Sequence, residues 1–323
     1  MRLYLIILLL SSSLGCSAQG TFRKAFAKAD SFLLKRYNKI DYDTAFIGRS
    51  EGKIGLKLWG NVSGLSLRSN GSGIKTKLKT NEKTTLSFEF DYYDIALEMA
   101  INPASIKGKN KDYEANINYY GRRLSVDASY QMAKTMGGDI AGYGYEINVS
   151  KGWLDTRMFN LAAQYVFNYR RFSYDAPFYQ LYRQKQSAGS WLAGISYQAG
   201  RMKTTSSMPA NAPSARFYAG HFALGGGYAY NWVPNKKWLL HLSVIPNLIV
   251  WQGDNITFNG TRLKGHAKFP AVLMNERAAI VYFFNPRHFV GASTVVNSLI
   301  KRSGSTDFRQ HKWLIRTYYG MRI

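Results

Sequence analysis

The sequence predicts an all-β chain, an antiparallel transmembrane barrel of about twelve strands (range about ten to fourteen) preceded by a short amphipathic helix. Three observations carry that expectation. The N-terminus holds an apolar leader. Beyond it, apolar and polar residues alternate with period two over runs of about 9–11 residues or more, the length a tilted strand needs to cross a bilayer. No later stretch reaches the roughly 18 apolar residues of a spanning helix, so a closed barrel is the remaining way through a membrane.

Residues 1–18 read as a secretory signal: Arg2 is the charged start, Leu3 to Leu10 the apolar run, and Cys16-Ser17-Ala18 a small-residue cleavage site before Gln19. Cleavage after Ala18 removes the only cysteine, which excludes a disulfide framework and any multi-cysteine metal site. Ser13-Leu14-Gly15-Cys16 faintly resembles a lipoprotein cleavage box, with Ser13 where Leu is usual. Residues 19–52 read as a periplasmic arm. Within it Phe22, Phe26, Leu33 and Tyr37 recur at helical spacing among lysines and arginines, a pattern suited to a membrane surface or the base of a barrel.

The barrel is expected over 53–323. Leu86, Phe88, Phe90 and Tyr92 alternate with Ser87, Glu89 and Asp91, and the apolar phase then moves to Ile95, Leu97, Met99 and Ile101. A continuous strand cannot change phase without turning its apolar face over, so a tight turn lies at Tyr92-Tyr93-Asp94. The same alternation fills 113–119, 124–132, 159–169, 191–198, 222–232, 238–244, 272–284 and 289–301. Aromatics near strand ends (Tyr169, Trp232, Trp238, Trp313, Tyr319) read as an interfacial girdle. The last strand sets Trp313, Ile315, Thr317, Tyr319, Met321 and Ile323 against Leu314, Arg316, Tyr318, Gly320 and Arg322. It resembles the C-terminal insertion signal of outer-membrane barrels, with Ile323 in place of the usual aromatic.

Short turns at Tyr92-Asp94, Gly121-Arg123, Pro234-Lys236 and Asn285-His288 are assigned to the periplasmic side. Segments 103–110, 134–156, 204–215 and 252–269 are assigned to the extracellular side. The runs at 54–67 and 74–80 are left ambiguous, one of them to merge with a neighbour or to stay outside the bilayer. Segment 170–186 falls on the periplasmic side, where it is too long for an ordinary turn.

Asn168, then Phe172-Ser173-Tyr174 with Ala176 soon after, then Gln184-Lys185 and Ser187-Ala188-Gly189-Ser190 opening a strand, resemble a pattern in a family of Bacteroidetes outer-membrane proteins. That pattern has Pro before the Ala; here Asp175 precedes Ala176 and Pro177 follows. The resemblance implies a barrel in the outer membrane and no particular activity.

Chemistry is sparse. No phosphate loop or His-x-x-x-His pair occurs, and no catalytic residue, metal or cofactor is expected. The informative residues lie on the polar strand faces. His221 and His241, on adjacent strands, are expected to meet inside the lumen. Glu89, Glu114 and Asp127 are expected inward in the first half, and Arg201 and Arg316 inward elsewhere, where opposite charges must pair or be wetted. These seven are the candidate lumen or ligand-binding residues. Lys75, Lys77 and Lys79 share one strand face as a basic stripe, an anion path, a contact for lipopolysaccharide phosphates or a solvated edge.

The chain carries 43 Lys+Arg against 19 Asp+Glu, a formal charge of +24. No base-stacking motif is set in a basic groove, so the charge reads as a match to an anionic membrane rather than to nucleic acid. The expected function is that of an outer-membrane barrel of binding, transport or envelope-structural type, with a lipid-modifying enzyme and a soluble periplasmic lipocalin-like protein as alternatives. Expected partners are outer-membrane lipids, lipopolysaccharide and, during biogenesis, the barrel-assembly machinery.

Overall fold

A computed structural model describes Ser31 and residues 40–52, 54–71, 73–92, 95–101, 112–142, 144–209, 214–265, 268–303 and 305–323. The leader and nearly all of the expected helix within 19–41 lie outside these residues, as does His266.

Eighteen strands follow in chain order: β1 (Ile47–Arg49), β2 (Ile54–Gly71), β3 (Ile74–Lys79), β4 (Lys83–Tyr92), β5 (Ile95–Ile101), β6 (Tyr113–Tyr120), β7 (Leu124–Ala133), β8 (Gly137–Gly142), β9 (Tyr145–Val149), β10 (Leu154–Val166), β11 (Tyr182–Gln184), β12 (Ala188–Thr204), β13 (Ala215–Asn235), β14 (Trp238–Phe258), β15 (Thr261–Gly265), β16 (Lys268–Phe283), β17 (His288–Ser303) and β18 (Thr306–Arg322). Every pairing is antiparallel. β18 returns to pair with β2, from Asp307 opposite Asn70 to Arg322 opposite Gly55, so the sheet curls round until its last strand meets its first long one.

Strand number differs between the two rims. β2 is long enough to pair with β4 from Ile54 to Ser63 and with β3 from Ser66 to Gly71. β3 and β4 therefore share one strand position, interrupted where Thr80 bonds back to Leu65. Of the two alternatives for the early runs, this is the merger. Beyond the interruption β3 pairs with β8, whereas β4 pairs with β5 and β6 with β7. Among the described residues the pairings run as one path from β6 through β7, β10, β12, β13, β14, β16, β17, β18, β2 and β3 to β8 and β9, with β4 and β5 branching from β2 at the rim of the termini. The terminal rim also carries the turns at 236–237 and 284–287, where Asn285 Oδ1 accepts the Arg287 and His288 amides at 2.9 Å each.

Two segments expected as loops at the distant rim are largely strand. Segment 134–156 contains the β8–β9 hairpin, and 252–269 contains the end of β14 and all of β15. Alternation is weak there because these hairpins stand beyond the band in which one face must be apolar.

Within the band the molecule is inverted relative to a water-soluble protein. Ile117, Trp191 and Leu242 are 75%, 69% and 61% exposed, while Gln164, Ser190, Asn231, His241, Ser243 and Asn247 are buried. Apolar side chains stand outward on strand after strand and polar ones fill the interior, as required of a wall in contact with lipid.

Candidate functional site

The interior is closed at two levels with a small cavity between them. At the terminal rim the 21 residues from Phe167 to Ser187, joining β10 to β12, fold into the barrel instead of turning beneath it. Phe172, Tyr174, Ala176 and Gln180 reach 0% exposure, and every residue from Phe172 to Tyr182 is buried. Their apolar side chains form a core with Val166, Leu192, Ala229 and Ile245 of the wall. This segment is the plug. It has aromatic weight without period-two order because it packs in all directions.

Polar groups fix its path. Asp175 heads a tight turn: its carbonyl accepts the Phe178 and Tyr179 amides at 2.9 Å, and its carboxylate accepts the Leu181 and Tyr182 amides at 2.9 and 3.1 Å. Gln180 then takes a positive φ of 54°. Gln184 accepts the Ser173 amide at 2.9 Å and donates to the Arg171 carbonyl at 2.6 Å. Asn231 of β13 donates to the Ser173 carbonyl at 2.8 Å and to Gln184 Oε1 at 3.0 Å. His241 holds Asn231 Oδ1 at 2.7 Å and Ser243 Oγ at 3.1 Å. β1 pairs with β11, Ile47 opposite Gln184, which ties the N-terminal arm to the plug.

The motif residues quoted above are therefore the plug and its hinge. Asn168 and Ser190 clamp the entry, the Asn168 amide to Ser190 Oγ at 2.9 Å and the Asn168 side chain to the Gly189 carbonyl at 2.8 Å. Ser187 Oγ accepts the Val233 amide at 2.9 Å. Phe172, Ser173, Tyr174, Ala176 and Gln184 lie within the buried segment.

Charged groups bind plug to wall. Lys57 Nζ reaches Glu89 at 2.6 Å and the Tyr179 carbonyl at 2.7 Å, and Arg322 reaches Asp91 and that same carbonyl, both at 3.2 Å. Arg277 pairs with Asp127 and the Tyr120 hydroxyl and faces the rings of Tyr174 and Phe178. Glu114 takes Lys83 at 2.8 Å and Lys312 at 3.1 Å. Arg316 lies 5.3 Å from the Trp59 ring centre.

Above the plug, Asn116, Asn160, Gln198, Asn275 and Lys312 help line a cavity of about 90 Å³. Beyond it the lumen carries an apolar cluster among polar groups. Leu65, Met136, Met158, Met202, Leu299 and Phe308 leave about 40 Å³ between them, beside His221, Asp254 and Lys301. His221 Nε2 is 3.3 Å from Asp254 Oδ1, and Lys301 pairs with the other carboxylate oxygen.

Of the candidate lumen residues, Glu89, Glu114, Asp127, His221, His241 and Arg316 face inward. Two expectations are corrected. Arg201 stands on the outward alternation with Trp191 and Ile195, opposite outward Tyr218, and its guanidinium is 4.0 Å from Asp155. His221 and His241 do not meet: in register, His241 lies opposite Asn231, ten residues from His221, about 33 Å along a strand. Tyr169, expected in the girdle, instead packs on the plug core and lies 4.3 Å below the Arg123 guanidinium. Asp254 was placed in a loop because a β-bulge between Phe222/Ala223 and Trp251/Ile249 sets Val250 and Trp251 both outward and reverses the phase beyond them. Lys57 and Lys312 are lumen residues the charge pattern passed over, although each falls on the polar alternation of its strand.

Burial pushes the Asp175 carboxyl up to about 7, against the pull of Lys57 and its backbone donors. A carboxyl raised on folding stabilises the folded state at low pH and loses that contribution as pH climbs from its ordinary range through about 7. The D175N variant removes this titration. The thermal midpoint of the wild type relative to D175N is therefore expected to fall from pH 4 to 7 and then level off; parallel curves would refute the assignment.

Solved structures that resemble the chain include three outer-membrane or autotransporter barrels. The outer membrane protease OmpT from Escherichia coli has 7% identity and a TM-score of 0.48, over 89% of this chain and 100% of that one. The transport unit of the autotransporter AIDA-I from Escherichia coli has 11% identity and a TM-score of 0.38, over 85% and 90%. The β domain of the Bordetella autotransporter BrkA has 10% identity and a TM-score of 0.33, over 84% and 99%. No curated protein matches the sequence. The model of the family described as a domain of unknown function, DUF4421, matches residues 41–322, so the chain belongs to that family.

Proposed function

We propose that this protein is a closed outer-membrane barrel of envelope-structural and surface-binding type, and not a solute pore. The carrying observation is the double closure of the lumen, the plug on one side of the 90 Å³ cavity and the apolar cluster of the far half on the other. Wall cations from several strands hold the plug, Lys57 and Arg322 on the Tyr179 carbonyl and Arg277 against the rings of Tyr174 and Phe178, which suits a fixed part better than a displaceable one. The N-terminal leader, the outward apolar band and the motif shared with Bacteroidetes outer-membrane proteins support the location. With both termini at one rim, that rim is periplasmic by the usual orientation of bacterial barrels.

The experiment is membrane fractionation followed by planar-bilayer recording of the purified protein. It is expected in the outer-membrane fraction, with heat-modifiable migration, and with no current above baseline. Steady single-channel current from folded wild-type protein would end this reading; release without detergent would favour the soluble lipocalin-like alternative.

A further inference from the structure

The outward face of β3, β2 and β18 beyond the apolar band places cations directly opposite one another. Lys77 of β3 lies in register with Arg68 of β2, and Arg68 in turn with Arg309 of β18. All three are exposed, and Lys75 and Lys79 flank Lys77 on the same face. Like charges directly opposite on neighbouring strands destabilise a sheet. Three in one row, at a surface where each could have been a neutral polar residue, call for an anion to sit over them.

Local carboxylates supply only part of it: Arg309 acts on Asp307 and Asp139 lies in register with Lys77, while Arg68 between the two cations has no carboxylate in register. Asp139 of β8 faces Lys77 from the other side and accepts the Asn148 side chain at 2.9 Å. Asp307, two residues from Arg309, is engaged by Arg302 at 2.6 Å. The position of the row points to the missing partner. On β18 the outward face runs Tyr319, Thr317, Ile315, Trp313, His311, Arg309. Arg309 thus stands four residues past Trp313, about 13 Å along the strand, where an apolar wall gives way to headgroups. At the rim away from the termini those headgroups belong to the outer leaflet.

We propose that the Lys77–Arg68–Arg309 row binds the phosphates of a phosphorylated glycolipid of the outer leaflet, with Lys75 and Lys79 as flanking contacts. Guanidinium groups suit the site because they take phosphate oxygens in pairs. The proposal rests on the outer-membrane reading above.

The test compares wild type with a triple variant, R68Q/K77Q/R309Q, both purified and stripped of lipid. Probes are bisphosphorylated lipid A, the same lipid with its phosphates removed, and inorganic phosphate. Binding is read by native mass spectrometry and by thermal midpoint. Wild type is expected to bind bisphosphorylated lipid A roughly tenfold or more tightly than the triple variant does. It is also expected to prefer it over the dephosphorylated lipid. In lipid-free detergent the variant should melt no lower than wild type, because the repulsion has been removed. Equal binding by the two proteins, or equal binding of the two lipids, overturns the proposal. Full stabilisation by inorganic phosphate, with no further gain from lipid A, also overturns it in favour of a free-anion site. Insertion of both proteins into phosphatidylcholine vesicles is scored separately, so a failure of the membrane reading shows itself there.

Discussion

Ion current is expected only when both closures of the lumen are opened together. Replacing 171–184 by a Gly-Ser linker of equal length removes the plug, and M136A/M158A thins the apolar cluster of the far half, but each alone leaves the other seal intact. Planar-bilayer recordings should stay at baseline for either variant and show discrete channels for their combination. The opened path would carry a weak preference for anions. Its terminal half is lined by Lys57, Lys83, Arg277, Lys312, Arg316 and Arg322 against Glu89, Asp91, Glu114 and Asp127, a surplus of two cations. Selectivity should disappear on reversing one of those cations and turn to cations on reversing two. Current from the plug-less variant alone would show that the methionine layer is not a seal. Heat-modifiable migration of each variant separates a closed barrel from one that did not assemble.

The K57M substitution is expected to be the most damaging single change in the wall. Lys57 is fully buried and holds Glu89, the Tyr179 carbonyl and, at 3.9 Å, Asp91. Removing one partner of a buried ionic network leaves the other charges desolvated and uncompensated, a loss of about 3–5 kcal/mol. Methionine fits the volume, so the cost is electrostatic and not a cavity. The companion K57M/E89M takes out both charges and should recover at least half of the lost stability, since an ion pair replaced by apolar side chains of similar size is often close to neutral. Denaturant unfolding in detergent micelles measures both. If K57M alone leaves the midpoint unmoved, the network does not hold the plug.

Sequence reasoning reached the wall of this barrel far better than its contents. A strand between lipid and an occupied lumen must alternate, so Leu86, Phe88 and Glu89, Asp91 could be assigned to opposite faces by parity alone. The inward placement of Glu114, Asp127 and Arg316 follows from the same rule. Parity also corrects Arg201, which shares odd numbering with Trp191 and Ile195 and so belongs outside. Where the backbone breaks period two, counting fails. One inserted residue near Val250 carried Asp254 from the expected outer loop to the lumen beside His221 and Lys301. The plug has no period to detect. Its excessive length for a periplasmic turn and its density of aromatics were visible, but whether such a segment hangs below a barrel or folds into it depends on partners distant in sequence, Asn231, His241 and Lys57 among them.

The carbonyl of Tyr179 bears on the order of events in assembly. It is gripped by Lys57 on the first strand of the barrel wall and by Arg322 on the last, and those strands meet at the closing seam. The early part of the chain can find the plug as soon as residue 179 has emerged, but the second grip waits for the end of the chain. Seam and plug therefore share one contact point, so each stabilises the other once both are in place. In a barrel built this way the last strand to arrive is also the latch.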